Sequence, residues 1–488
     1  MAVVTHEQEL VEGVPNHLFV GGEWREAASG ATLAVEDPAT GEVLCRVADA
    51  GPEDGMAALD AAVEQQDAWA RHPPRQRGEI LRQAFERIVA RTDELALLMT
   101  LEMGKPIAES KAEVAYAAEF FRWFSEEAVR IEGSYGVAAN GRGRVLTMRQ
   151  PVGPSIMITP WNFPLAMGTR KIGAAIAAGC TMVLKPAHQT PLSSLALAQI
   201  LAECGLPGGV LNVVTTSHPS EVMTPLIQDP RSRKLSFTGS TETGRKLIEL
   251  SAQQVLRVSM ELGGNAPFLI FEDADLDAAV EGAMVAKMRN MGEACTSANR
   301  FHVAEPLSDV FASRLAERMG SLRVGRGTEE GVQVGPLIDQ PSRQKVSGLV
   351  TDALAQGATA LVGARAGDGQ GYFYDPTVLV DVPAQARLLA EEIFGPVAPI
   401  SAFDSEDEAI AAANRTHYGL VAYVYTRDLR RALRVAEGLE TGMVGLNQGM
   451  VSNPAAPFGG VKASGIGREG GHEGIEEYLE TKYVAINV

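Results

Sequence analysis

From about residue 154 onward, short apolar runs alternate with helical segments, and this alternation restricts the possible folds more than any other feature. The runs 154–159, 181–184, 210–214 and 234–237 have strand length and are separated by stretches long enough for a helix. Such spacing predicts a mostly parallel sheet covered by helices. Glu203-Cys204-Gly205-Leu206-Pro207 closes one of those helices with glycine and proline before the next strand. A second series starts near 263 with the run 268–271, a helix opened by Asp273, and strands around 298–304, 396–403 and 421–425. That predicts a second α/β unit. Ahead of both lies a helical layer over about 54–130, where Met56, Leu59 and Ala62, then Ile80, Leu81, Ala84 and Ile88, recur at helical spacing. Residues 131–150 read as a hairpin turning on Asn140-Gly141.

A chain of 488 residues, 45% hydrophobic and 21% charged, can bury a large core and is expected to divide into two or three domains. Its formal net charge of −18 argues against nucleic acid or an anionic membrane as partner, because both reward basic patches. An anionic small molecule would need local cations. The first residues are acidic and carry no apolar run, so neither a secretory signal nor a transit peptide is expected. Cys45, Cys180, Cys204 and Cys295 show no CxxC spacing, which fits a reducing cytoplasm, and the histidines are not spaced as metal ligands.

Two segments carry chemistry. Gly292-Glu293-Ala294-Cys295-Thr296 offers a thiol, and Met260-Glu261-Leu262-Gly263-Gly264-Asn265 offers a carboxylate. An unperturbed thiol is only a few per cent ionised at neutral pH but is a strong nucleophile, so a modest local field suffices for attack on a carbonyl. A carboxylate can then activate the water that releases the thioester. Taken alone, a single cysteine reads more simply as a buried, inert thiol.

These segments resemble the two active-site signatures of the aldehyde dehydrogenase superfamily, and the resemblance runs almost end to end. It includes Phe19-Val20-Gly21-Gly22-Glu23-Trp24, Glu102-Met103-Gly104-Lys105-Pro106 and Pro160-Trp161-Asn162-Phe163-Pro164. It continues through Phe237-Thr238-Gly239-Ser240 and Glu391-Glu392-Ile393-Phe394-Gly395-Pro396 to Pro457-Phe458-Gly459-Gly460-Val461-Lys462. The resemblance implies an α/β, aldehyde dehydrogenase-like fold in three parts: a Rossmann-like cofactor domain over 1–128 and 150–261, an α/β catalytic domain over 262–475, and a β-arm oligomerisation element over 129–149 and 476–488. A homotetramer or homodimer follows from that element.

By the same resemblance Cys295 is the nucleophile, Glu261 the general base and Asn162 the oxyanion-hole amide. No Gly-x-Gly-x-x-Gly opens the first sheet. Instead Gly239, Ser240 and Gly244 match a turn and helix start whose free N–H groups meet a pyrophosphate. Trp161, Lys185, Leu262, Glu392 and Phe394 match further cofactor contacts. Where many NAD-preferring relatives carry a glutamate that repels a 2′-phosphate, this chain has His188, which favours NADP while leaving NAD possible. Arg170, Arg289 and Ser452 match the groups that bind the substrate carboxylate in succinate-semialdehyde dehydrogenases, and two forked guanidiniums suit that task. The same clamp would accept glutarate semialdehyde or sulfolactaldehyde.

Two departures bear on the chemistry. Glu293 stands where many relatives have glutamine and is expected to point away from the thiol, and Ser297 removes a cysteine with which some relatives close a redox disulfide. CoA-acylating relatives commonly lack the base that Glu261 supplies. A non-catalytic protein on this fold would be free to lose Cys295, Glu261 or Asn162, and a cysteine hydrolase would need an activating histidine.

Overall fold

The computed structural model describes residues 6–487. Eight strands form one sheet, in the order Gly465–Ile466, Arg257–Glu261, Lys234–Thr238, Ser155–Ile158, Met182–Lys185, Leu211–Val213, Leu18–Val20 and Glu23–Arg25. Its inner strands, from Arg257–Glu261 to Leu211–Val213, run parallel. Parallel neighbours need crossovers, and the helices Ala166–Ala178, Leu192–Glu203, Pro219–Gln228 and Thr241–Ala252 provide them. Helices on the faces explain why Met182–Lys185 is buried at every position and reads as a run without alternation. Ala166–Ala178 is itself buried throughout, and its small residues admit close neighbours: a Cβ on Gly173 would lie 3.0 Å from the Phe124 ring. The antiparallel strands Leu18–Val20, next to the edge strand Glu23–Arg25, and Gly465–Ile466, at the opposite edge, come from distant parts of the chain, which local patterning could not foresee.

The second sheet has seven strands, in the order Thr359–Val362, Thr377–Val380, Val397–Phe403, Ala298–Ala304, Ala266–Ile270, Val421–Tyr425 and Met443–Leu446. All pairs are parallel except Thr359–Val362 with Thr377–Val380. The helix expected to open at Asp273 spans Leu276–Met288 and is capped by Asp275, whose carboxylate accepts from Ala278 N–H at 3.2 Å. Asp273 instead accepts from Thr426 Oγ1 and from the N–H groups of Arg427 and Asp428, tying the loop after Val421–Tyr425 to this helix start. Two aspartates two positions apart were equally suited to the cap, and the long-range partners decide between them.

The hairpin forms from Ser134–Val137 and Arg144–Pro151, and Leu479–Ile486 extends it antiparallel along the whole of Arg144–Pro151. This small sheet exposes apolar side chains, with Tyr135 at 68% and Tyr483 at 61% of full exposure. No helix of the described residues is long and apolar enough to cross a membrane. In the helical layer, Thr92–Met103 ends on Gly104 at φ 93°, where a Cβ would lie 2.7 Å from Pro336 and 2.8 Å from Pro38. That turn delivers Lys105 to the site described next.

Candidate active site

Parallel strands present their C-terminal ends on one side, and ligand sites of open α/β sheets form there. Ser155–Ile158, Lys234–Thr238 and Arg257–Glu261 are neighbours in register, so Pro160-Trp161-Asn162, Gly239-Ser240 and Glu261 emerge together. Cys295 arrives from the other sheet, between Leu276–Met288 and Ala298–Ala304. Between them lies a cleft of about 240 Å³ lined by Trp161, Asn162, Gly239, Ser240, Glu261, Leu262, Cys295, Glu392 and Phe394, together with Pro160, Met167, Thr238, Gly263, Ser342 and Lys345.

The approach to Cys295 is a run of left-handed backbone at Asn290 (φ 54°), Met291 (φ 55°) and Gly292 (φ 78°). Two non-glycine residues in that region carry strain that the surroundings must hold. Asn290 Nδ2 donates to the carbonyls of Asn162 at 3.0 Å and Glu293 at 2.9 Å, and a Cβ on Gly292 would lie 2.2 Å from the Gly395 oxygen. Asn162 Nδ2 donates to the Glu293 carbonyl at 3.0 Å, with its second N–H unspent among the described residues. Lys105, buried and paired with Glu113 at 2.5 Å, donates to the Asn162 carbonyl at 2.7 Å. The loops carrying Asn162 and Cys295 are therefore clamped to each other. The Cys295 N–H also has no partner among the described residues. The Glu293 carboxylate turns away, as expected, and accepts from Ile338 N–H at 3.1 Å.

Burial governs the electrostatics. It pushes the Cys295 thiol up to about 12; Arg170 and Arg289 oppose this, while Glu261 and Glu392 add to it. The modest activating field anticipated from the sequence is thus outweighed by desolvation. Glu261 is buried with both carboxylate oxygens unpartnered among the described residues, and burial followed by Glu469 raises its pKa well above the usual range. Glu469 is held low by Arg170 and Lys171 in spite of burial. Of these two carboxylates, Glu469 keeps the negative charge and Glu261 resists it.

The cofactor-side residues fall into two groups. Ser240 caps Thr241–Ala252, its Oγ accepting from Thr243 N–H at 3.3 Å, so the helix start faces the cleft. Glu392 Oε1 accepts from Gly264 N–H at 3.0 Å, and Phe394, at φ 56°, meets Trp161 edge-on at 5.3 Å. Lys185 lies outside the lining, buried at a strand end with no ion pair among the described residues, and burial pushes its pKa down to about 8. His188 is exposed nearby, its pKa lowered by partial desolvation and by Lys185. Gly244 does not reach the cleft: a Cβ there would lie 2.4 Å from Leu262, so its role is to let Leu262 pack on the helix. Ser342 and Lys345, on the helix Gln340–Ala355, line the cleft without any sequence motif to announce them. The open turn, the unpaired lysine and the apolar Leu262–Phe394 floor fit a dinucleotide.

Arg289 Nη1 donates to Ser452 Oγ at 3.2 Å, and its guanidinium lies 4.8 Å from the Phe163 ring centre. No carboxylate pairs with it among the described residues. Arg170 differs, because its guanidinium is ion-paired with buried Glu469 and stacked 4.4 Å from the Phe458 ring centre. Glu469 lies 299 residues further along the chain, where no motif links it to Arg170.

A model described as the aldehyde dehydrogenase family matches residues 24–484. A succinate-semialdehyde dehydrogenase of Paenarthrobacter nicotinovorans is 59% identical over 444 residues, covering 91% of this chain and 99% of the relative. A glutarate-semialdehyde dehydrogenase of Pseudomonas putida KT2440 is 50% identical over 470 residues, covering 96% and 97%. The crystal structure of an E. coli NADP dependent enzyme superposes with a TM-score of 0.96 at 49% identity, covering 99% of this chain and 100% of that one. With its thiol, amide and buried carboxylate assembled around one cleft, the chain belongs to the aldehyde dehydrogenase family.

Proposed function

We propose that the protein oxidises succinate semialdehyde to succinate, using NADP and, less well, NAD. The observation that carries this reading is Arg289, a cation without a carboxylate partner among the described residues, held by Ser452 beside the cleft that contains the thiol. An unpaired guanidinium in a partly buried site favours an anionic ligand group. Arg170 is already ion-paired with Glu469, so Arg289 carries the charge of this reading.

In this mechanism Cys295 attacks the aldehyde carbon as its thiolate, the thiol proton leaving to solvent, and Glu261, whose raised pKa makes it a stronger base than an ordinary carboxylate once ionised, is reserved for the hydrolytic step. The alkoxide of the thiohemiacetal receives the free N–H of Asn162 and the backbone N–H of Cys295. Two neutral donors stabilise that charge without trapping it. Trp161, Leu262, Glu392 and Phe394 line the part of the cleft that would hold an oxidised nicotinamide, which would supply the hydride acceptor. The remaining thioester is cleaved by water deprotonated by Glu261. His188 offers no carboxylate to repel a 2′-phosphate, and Lys185 adds a nearby cation, which supports NADP.

The cofactor domain is assigned to 1–128 and 150–261 and the catalytic domain to 262–475. In support, Glu261 ends a strand of one sheet and Ala266–Ile270 is central to the other. The exposed apolar arm at 129–149 and 476–488 suits assembly into a homotetramer or homodimer. The free cysteines suit a reducing cytoplasm.

Arg289→Ala tests the substrate assignment. It should raise KM for succinate semialdehyde by about 10- to 100-fold, the value of a hydrogen-bonded charge pair, and leave butanal within about threefold. Equal losses with both aldehydes would contradict it. Glutarate semialdehyde in the same assay reports how strictly chain length is read.

A further inference from the structure

Three buried polar atoms on neighbouring strands of the cleft have no partner among the described residues: Thr238 Oγ1 and both carboxylate oxygens of Glu261. Thr238 ends Lys234–Thr238 and Glu261 ends Arg257–Glu261, and the two are register partners in that parallel pair. Gly239 N–H prolongs the pairing by donating to the Glu261 carbonyl at 3.0 Å. Register partners on adjacent strands stand about 5 Å apart and project from the same face of the sheet. Both residues line the cleft that holds Cys295, and they are only 6% and 3% exposed. Polar groups left unpaired at that depth are costly, and one small polar molecule bound by about two to four partners removes the cost.

The other polar groups of the lining are committed or stand farther from Glu261. Ser240 Oγ accepts from Thr243 N–H at 3.3 Å and donates to Thr243 Oγ1 at 3.0 Å. Glu392 accepts from Gly264 N–H. Asn162 follows Ser155–Ile158, two strands away from Arg257–Glu261 in the sheet, and its N–H is assigned to the thiohemiacetal oxygen. Ser342 and Lys345 belong to the helix Gln340–Ala355, outside this sheet. Thr238 is therefore the hydroxyl beside the base. A water that attacks the thioester gives one proton to Glu261 and aims a lone pair at the acyl carbon, so its second O–H needs an acceptor. A threonine hydroxyl supplies one.

We propose that Thr238 is a catalytic residue of the hydrolytic step, its Oγ1 accepting a hydrogen bond from the attacking water and so orienting that water between Glu261 and the acyl carbon. The water oxygen bonds to the acyl carbon as one proton passes to Glu261. The C–S bond then breaks, and the proton on Glu261 returns to the departing thiolate of Cys295, leaving the carboxylic acid and the free thiol. The proposal rests on the thioester-hydrolysing reading above and adds to it a group that acts only after hydride transfer.

Thr238→Val in the full-length protein keeps the shape of the side chain and removes the hydroxyl. Mixed rapidly with NADP and succinate semialdehyde, it should form reduced cofactor in the first turnover at the rate of the parent. Decay of the acyl group on Cys295, followed by acid quenching and intact mass, should slow by about tenfold. Thr238→Ser restores a hydroxyl but not the methyl group, and should bring the decay back to within about threefold of the parent; a packing defect would persist in it. Unchanged acyl decay in Thr238→Val overturns the proposal. So does a first turnover slowed as much as the decay, which would put the hydroxyl against the nicotinamide instead. Failure of the underlying reading looks different: Glu261→Gln then traps no acyl group on Cys295 with either succinate semialdehyde or butanal.

Discussion

Cys295→Ser should lower kcat for aldehyde oxidation by about four orders of magnitude while leaving nicotinamide cofactor binding intact. A serine hydroxyl in the same pocket is a far weaker nucleophile, and the site holds no histidine positioned to activate it. The substitution is nearly isosteric, so the left-handed turn at Asn290–Gly292 and its bonds to Asn162 should survive. Steady-state turnover and cofactor titration on the same preparation check both halves. Activity within tenfold of the parent would mean that Cys295 forms no bond to substrate.

Glu261→Gln should separate the two halves of the reaction. Hydride transfer yields one equivalent of reduced cofactor in a burst, after which hydrolysis of the thioester limits turnover to about 10²- to 10³-fold below the parent. Rapid mixing shows the burst, and intact-mass analysis shows the acyl group on Cys295. A uniform loss of burst and steady state would place Glu261 before, not after, the thioester.

The same residue links activity to stability. Burial raises the pKa of Glu261 above its value in the unfolded chain, so the folded protein holds this proton more tightly. Its contribution to stability is full below the unfolded pKa and is lost as pH rises through the folded pKa. Over that window the ionised base appears and hydrolysis accelerates. Glu261→Gln should therefore remove this rise in activity and also flatten the fall of melting temperature with pH.

Much of this site was legible because its parts lie in local motifs. The segments around Cys295, Glu261 and Asn162 end strands or flank them, and parallel register brings such ends together without further information. The unalternating runs likewise betrayed buried parallel strands. What stayed hidden depends on partners far along the chain. Nothing near Arg170 announces Glu469, yet that carboxylate decides how much charge Arg170 can lend a ligand. Gly244 looked like part of a phosphate turn, but its missing Cβ serves Leu262. Ser342 and Lys345 face the cleft only because their helix packs across it, and an ordinary Asp339 cap says nothing of direction. The desolvation of the thiol was hidden for a related reason: sequence reveals neighbouring charges more readily than burial.

The decisive experiment follows reduced-nicotinamide absorbance on the purified protein with succinate semialdehyde and with butanal, each with NADP and with NAD. Turnover with kcat/KM at least about tenfold higher for succinate semialdehyde, and higher with NADP than with NAD, is the predicted result. Equal efficiency on the two aldehydes, or a preference for butanal, would contradict an anionic-aldehyde dehydrogenase built around Arg289.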